Sequence, residues 1–384
     1  MTPGARIAAA IDILDAILAG APAERELTRW ARGARYAGSG DRAAVRDHVY
    51  DALRCRRSAA HLGGAETGRG LMLGVLRLAG TDPAGLFTGE GHAPAPPDAE
   101  ESGSPLDEAP PDLRADCPAW LWPRLGPQAE AIMAAQRSRA PVFLRVNSAR
   151  TTRAAAVAAL AEAGVTAEPL EEVETALRVT HGERRIAASA PYQGGLVDLQ
   201  DAASQAAVLR LPLAEGMRVL DYCAGGGGKA LAMGACARLE LTAHDADPAR
   251  MADLSPRAAR AGLTVRTLPT EALAAAAPFD LVLVDAPCSG SGTWRRTPEA
   301  KWRLTEARLA ELTALQTEIL GEASRLVAPG GTLAYATCSV LEVENDAQIA
   351  SFLSTAPGWS AAPPWHHLPG ENGDGFFLAC LTAP

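Results

Sequence analysis

Three short runs, apolar through the middle, constrain this chain more than any other feature. They are Arg218-Val219-Leu220-Asp221-Tyr222, Leu281-Val282-Leu283-Val284 and Leu333-Ala334-Tyr335-Ala336. Each is long enough for a strand and too short for a helix, and such runs read as parallel strands covered on both faces. A sheet of that kind is doubly wound, with helices on either side, and its ligands bind beyond the carboxyl ends of the strands. The residues just past each run are therefore informative. The first run ends in Cys223-Ala224-Gly225-Gly226-Gly227-Gly228-Lys229, the second in Asp285-Ala286-Pro287-Cys288-Ser289-Gly290, and the third in Thr337-Cys338-Ser339. A flexible loop and two thiols are thereby expected at one crevice.

Consecutive glycines after a strand let the backbone turn tightly and approach a ligand closely. The next strand-like run, Leu239-Glu240-Leu241-Thr242-Ala243, leads into His244-Asp245-Ala246-Asp247. An acidic residue at that point can accept the hydroxyls of a ribose, so the pair of features predicts a nucleoside cofactor, with NAD still open on these residues alone. Phosphate cradling of the P-loop kind does not fit, because Ala230 follows Lys229 where a serine or threonine is needed.

The chain has 384 residues, 48% of them apolar and 21% charged, which is ordinary globular usage and enough for two to three domains. Its net charge of −9 is the opposite of the usual nucleic-acid binder, but the charge is uneven. Residues 90–116 carry eight acids against Arg114 alone, whereas residues 1–60 are rich in arginine. Seven cysteines without a Cys-x-x-Cys or His-x-His cluster suggest neither a disulfide framework nor a metal site. With no apolar leader and no long apolar run, a soluble, cytoplasmic, monomeric protein is expected. Only two of the 36 cationic residues are lysines, Lys229 and Lys301, and both lie in the motifs that carry the candidate chemistry. Where arginine is the default cation, a lysine points to a need for a compact ammonium.

Along the chain, residues 1–87 read as helical, with apolar spacing at Ile7, Ile11, Leu14 and Leu18 and again at Val45, Val49 and Leu53. Residues 88–116, rich in proline, glycine and acid, read as a linker. Residues 117–200 form an α+β unit with strands near Val142–Val146, 176–179 and 195–200 and an alanine-rich helix over 151–164. Strand and helix patterns alternate from 201 to 384.

The motifs together are similar to those of the RNA 5-methylcytosine methyltransferases of the Sun/RsmB type. Asp285 to Trp302 resembles their fourth motif, Ala336 to Asn345 their sixth, and Leu368 to Phe377 their closing signature; Pro141 to Asn147 and Gln200 to Gln205 also fit. The likeness covers about 117–384. Residues 36–54 resemble, more faintly, a shortened NusB-like RNA-binding domain. The resemblance implies a Rossmann-like, S-adenosyl-L-methionine-dependent catalytic domain preceded by an RNA-recognition-like unit, and an RNA substrate, ribosomal or transfer RNA. It implies that Cys338 attacks cytosine C6 and that Cys288 assists release. Residues Cys223 to Lys229 would wrap the methionine part of the cofactor, Asp245 would hold its ribose, and Asp285 would meet the cofactor or the cytosine edge. Lys229 would sit near the base or the carboxylate. Arg295, Arg296 and Lys301 would line the RNA path. The chemistry suits two thiols: a thiolate added at C6 makes C5 nucleophilic enough to accept a methyl group, after which the adduct must be resolved.

Two departures stand out. The family loop usually carries Ala-Pro where this chain has Gly225-Gly226, and loss of the proline loosens the free loop. The aspartate usually found near the adenine is absent; Thr270 or Glu271 stands in its region. Two rivals remain from sequence: a DNA cytosine methyltransferase, whose nucleophile would be Cys288, and a non-catalytic RNA-binding factor that keeps the fold.

Overall fold

A computed structural model describes residues 1–384, the side chain of Glu100 apart. The chain divides into two compact units, one of residues 1–139 with 294–304, the other of 140–293 with 305–384.

The first unit is helical. Helices Pro3–Leu18, Ala23–Gly33, Ser39–Arg54, Arg56–Gly63 and Gly68–Leu78 enclose a core of Ile7, Leu14, Val45, Val49, Leu53, Leu71, Met72 and Phe87. The buried seam of the first helix runs through Ile7, Ala10, Ile13, Leu14 and Ile17, while Ile11 and Leu18 are only half-buried. Alanine counts as an apolar position, which the larger side chains alone conceal. The acidic stretch 88–116 lies along these helices. Arg69 pairs with Glu101, Arg57 with Asp112 and Arg137 with Asp116, and the Arg77 guanidinium donates to the Glu101 carbonyl oxygen. The uneven charge seen in sequence is thus resolved by pairing within one unit.

Segment 294–304 corrects one expectation. Arg295 and Lys301 were candidates for an RNA path, yet they are 2% and 1% exposed. The helix Pro298–Arg303 packs on Ser39–Arg54, where Arg54 Nε donates to the Arg295 carbonyl oxygen and Gln136 Oε1 accepts from the Arg295 amide. Burial lowers the Lys301 ammonium to about 8 against the pull of Asp116. Asp116 itself is fully buried and accepts from the Ser58 amide and hydroxyl at 2.8 and 2.7 Å. Arg296 is exposed.

The second unit holds two sheets. The smaller has strands β1 (Val142–Val146), β2 (Thr166–Pro169), β3 (Ala176–His181) and β4 (Val197–Leu199), all antiparallel in the order β2-β3-β1-β4. Helix Arg153–Glu162, capped by Thr152, covers it through Ala156 and Leu160.

The larger sheet has β5 (Arg218–Asp221), β6 (Glu240–Ala243), β7 (Arg266–Thr267), β8 (Phe279–Asp285), β9 (Val327–Thr337), β10 (Ser360–Ala361), β11 (Trp365–His367) and β12 (Phe376–Thr382). The order is β7-β6-β5-β8-β9-β12-β10, with β11 beside β12. Strands β5 to β9 are parallel and β12 is antiparallel to β9. Alternate residues of β8 and β9 enter two cores: Val282, Val284, Leu333 and Tyr335 meet Ile319 and Leu320 of helix Glu306–Ser324, and Leu281, Leu283, Ala334 and Ala336 share the other face with Ala232 and Met233 of helix Gly228–Cys236. Both faces are covered, as the uninterrupted apolar runs require. The strand order reverses at β5, which stands between β6 and β8 and puts the switch-point crevice at the ends of β5 and β8.

Removing one member of a buried charge cluster leaves the others uncompensated. Asp116→Asn is therefore expected to lower unfolding stability by on the order of 3 kcal/mol, read from urea denaturation, while Lys301→Met leaves the salt dependence of RNA binding unchanged.

Candidate active site

The glycine loop begins where β5 ends. Gly225 and Gly227 have φ of 48° and 79°, which a side chain would strain, and a Cβ on Gly227 would meet Leu254 Cδ1 at 2.2 Å. Asp221 closes β5 in full burial. Its Oδ2 accepts from the Ala230 amide at 3.0 Å, and its Oδ1 has no partner. Burial, reinforced by the charge of Asp285, pushes the Asp221 carboxyl up to about 7.

Asp285 ends β8 and receives Lys229 Nζ at 2.6 Å. Burial opposes the Lys229 charge, but the Asp285 carboxylate outweighs it and raises the ammonium above its ordinary value. The Lys229 ammonium also lies 5.1 Å from the centre of the Phe376 ring.

The two thiols meet. Parallel pairing sets Asp285 against Ala336, and the chains then turn so that Cys288 Sγ lies 3.4 Å from Cys338 Sγ. The hydrogen bond to Cys338, together with burial, raises the Cys288 thiol well above its ordinary value. The same hydrogen bond, reinforced by Lys229, lowers the Cys338 thiol although burial opposes it. The two thiols thus shift in opposite directions, Cys288 up and Cys338 down, across a contact in which either sulfur can donate.

The loops carrying these cysteines are tied by groups that sequence reasoning passed over. Glu344, fully buried, accepts from the Ser289 amide at 2.8 Å, from the Ser289 and Ser339 hydroxyls, and from Gln316 Nε2 at 3.1 Å. Gln316 Nε2 also donates to the Pro287 carbonyl oxygen, and Asn345 Nδ2 to that of Ser339. The Glu-x-Glu-Asn run after Thr337-Cys338-Ser339 was the available signal. A Cβ on Gly292 would lie 2.3 Å from the Gly375 carbonyl oxygen, so the closing signature backs the catalytic loop directly.

Other expected residues have local tasks. Asp245 Oδ2 accepts from the Gly225 amide at 3.0 Å and pairs with Arg250 at 3.1 Å, so its carboxylate braces the glycine loop. Thr270 Oγ1 lies 2.9 Å from Nε2 of the buried His244, whose Nδ1 is 2.7 Å from the Tyr222 carbonyl oxygen; Glu271 is exposed. Cys223 is half-buried beside the core, and burial raises its thiol. A nucleoside cofactor with a cationic methionine part fits this set. The loop from Cys223 to Lys229 gives close backbone approach, the unpartnered oxygen of buried Asp221 lacks a donor, and Asp245 and Asp285 border the same loop.

Residues 208–382 match the family model described as 16S rRNA methyltransferase RsmB/F, and residues 117–184 match an RsmF/B-like ferredoxin-like domain. Ribosomal RNA small subunit methyltransferase B of Salmonella arizonae is 36% identical over 288 residues, covering 70% of this chain and 67% of that protein. The chain belongs to the RsmB/F methyltransferase family. The corresponding protein of Citrobacter koseri is 36% identical over 282 residues, 69% of this chain and 66% of its own length. The chain thus spans about two thirds of the length of these relatives. Among solved structures, the crystal structure of PH0851 matches with a TM-score of 0.77 at 24% identity over 99% of each chain. NSun6 from Pyrococcus horikoshii, solved with SFG, matches at 0.57 and 15% identity over 66% of this chain and 94% of its own. Those likenesses show the fold, a Rossmann-like α/β domain. Among the described residues of this RsmB/F methyltransferase, no cluster of His, Cys, Asp or Glu could hold a metal, and no helix is long and apolar enough to cross a membrane.

A carboxyl whose folded value is raised stabilises the fold fully below its unfolded value and loses that contribution as pH rises through the folded one. For Asp221 the window runs from about 4 to about 7. Asp221→Asn, which keeps an acceptor for Ala230, should therefore gain stability relative to the parent as pH rises across that window and level off above it, measured by thermal unfolding of the cofactor-free protein.

Proposed function

We propose that this RsmB/F methyltransferase transfers a methyl group from S-adenosyl-L-methionine to C5 of a cytosine in RNA. The favoured substrate is small-subunit ribosomal RNA, on which a monomer acts in the cytoplasm; the relatives' names support that choice over transfer RNA. The observation that carries the reading is the polarised pair of thiols, 3.4 Å apart at the strand ends beside the Lys229–Asp285 ion pair.

In this reading the target base leaves its stack to reach the crevice, at least cost from looped RNA. The Cys338 thiolate forms a bond to C6, and C5 becomes enamine-like. When bound, the cofactor supplies the electrophilic methyl group that C5 takes. The C5 proton then passes to a solvent base, the C6–S bond breaks, and Cys338 leaves as thiolate. Cys288, 3.4 Å from Cys338 in the free site, donates a hydrogen bond to the departing sulfur. Asp285, with one oxygen held by Lys229, has a second that can accept from the cytosine amino group. Lys229 holds Asp285 in place and favours the Cys338 thiolate. Cys223 to Gly228 line the methionine part of the cofactor site, and Asp245 is the candidate for its ribose, on turning from Gly225 or Arg250. The exposed Arg296 remains a candidate phosphate contact. The directions of the thiol shifts favour Cys338 over Cys288 as nucleophile, against the DNA-enzyme arrangement.

Cys338→Ala should abolish transfer of labelled methyl groups to RNA while retaining cofactor binding. Cys288→Ala should accumulate a protein–RNA adduct that survives denaturing electrophoresis, and the double variant none. An adduct formed by Cys338→Ala but not by Cys288→Ala would reverse the two roles. The single-turnover rate should rise with pH through a midpoint below the ordinary thiol value of about 8.5, because the attacking form is the thiolate. Lys229→Met removes the neighbouring charge and should move that midpoint upward.

A further inference from the structure

The glycine loop of this chain has four glycines in a row and no proline, which leaves it with many accessible conformations. Its backbone is nevertheless held from outside by side chains that neither line the thiol pair nor border Asp221. Arg257, on helix Leu254–Ala261, donates through Nη1 to the Gly226 carbonyl oxygen at 2.5 Å and through Nη2 to Asp198 Oδ2 at 2.7 Å. Asp198 belongs to β4 of the small sheet, and its other oxygen receives Arg260 Nη2 at 3.5 Å and the Leu199 amide at 3.0 Å. Arg145 of β1 lies 3.9 Å from Asp198 Oδ2 and donates through Nε to Gln200 Oε1 at 2.7 Å. Gln200 in turn donates to the Gly228 carbonyl oxygen at 3.3 Å. Two carbonyls of the loop, at Gly226 and Gly228, are thus tethered to the end of β4.

We propose that Arg257, oriented by Asp198, is a positioning residue for the cofactor loop, so that a carboxylate of the small sheet sets cofactor affinity without touching the cofactor. The inference rests on the cofactor reading above. The planar guanidinium suits the task, because it bridges a carbonyl and a carboxylate at fixed separation, which an ammonium cannot do. The side chain is 22% exposed, so the bridge is sheltered from full solvent screening. When the bridge is cut, the loop must be ordered at the expense of binding free energy, and affinity falls.

The test measures the dissociation constant for S-adenosylhomocysteine by titration calorimetry on the full chain, in the parent, Arg257→Met, Asp198→Asn and the double variant. Methionine keeps the aliphatic stem and removes both donors. Each single variant should bind roughly tenfold more weakly, the size of one lost charge-assisted hydrogen bond. The double variant should be no weaker than Arg257→Met, because both act through one bridge. With RNA, KM for the cofactor should rise by a similar factor while kcat at saturating cofactor stays within about twofold of the parent; a merely structural role would lower kcat instead. Amide exchange of the peptide spanning Gly225–Gly228 in the cofactor-free protein should quicken in Arg257→Met, a readout that needs only a folded variant. An unchanged dissociation constant in a folded Arg257→Met, or additive losses in the double variant, overturns the proposal and leaves the cofactor reading intact. Absence of binding by the parent overturns both.

Discussion

The parallel pairing of β8 with β9 is the constraint on which the site depends. Both strands are apolar on both faces, so neither can slip by a residue without exchanging its whole set of buried side chains. The register that results sets Asp285 opposite Ala336 and makes the two loops beyond them neighbours. A hydrogen bond between thiols is weak, and it could not hold those loops together. Hydrophobic pairing of the strands sets the spacing, and the thiols inherit it.

Around that spacing, buried polar groups turn proximity into polarity. Glu344 is a fully buried carboxylate with the Ser289 amide, two serine hydroxyls and the Gln316 amide as donors, so its burial is compensated. It ties the loop after β8 to the loop after β9 and leaves Cys288 and Cys338 little freedom to separate. Asp221 is the opposite case. One of its oxygens has no donor, and burial, reinforced by the charge of Asp285, pushes the carboxyl up to about 7. An unsatisfied acceptor beneath a glycine loop is unfavourable in the free protein and useful where a cationic ligand is to be bound.

Charge is handled differently in the helical unit. There the arginines of the helices meet the acids of 88–116, and Lys301 is enclosed with Asp116 rather than offered to a partner. The net charge of the chain is a poor guide to where nucleic acid could bind, because much of the positive charge is consumed inside this unit.

The sequence alone determined the class of sheet and the position of Cys288 and Cys338 just past two of its strands, since these depend on periodicity and on residues a few positions apart. Uninterrupted apolar runs leading into Cys223–Lys229, Asp285–Cys288 and Thr337–Ser339 admit few other arrangements. Tertiary structure decided what depends on residues far apart in the chain. The two thiols meet in a contact across fifty residues, and that contact together with Lys229 from a third strand end lowers the Cys338 thiol. Arg295 and Lys301 come soon after the catalytic loop in sequence, yet their segment folds into the helical unit, where burial removes them from solvent. The tether from Asp198 through Arg257 to Gly226 joins three elements that share no local pattern. Local spacing reports which face a residue takes on its own element; only packing determines which neighbour it meets there, and the neighbour sets its charge.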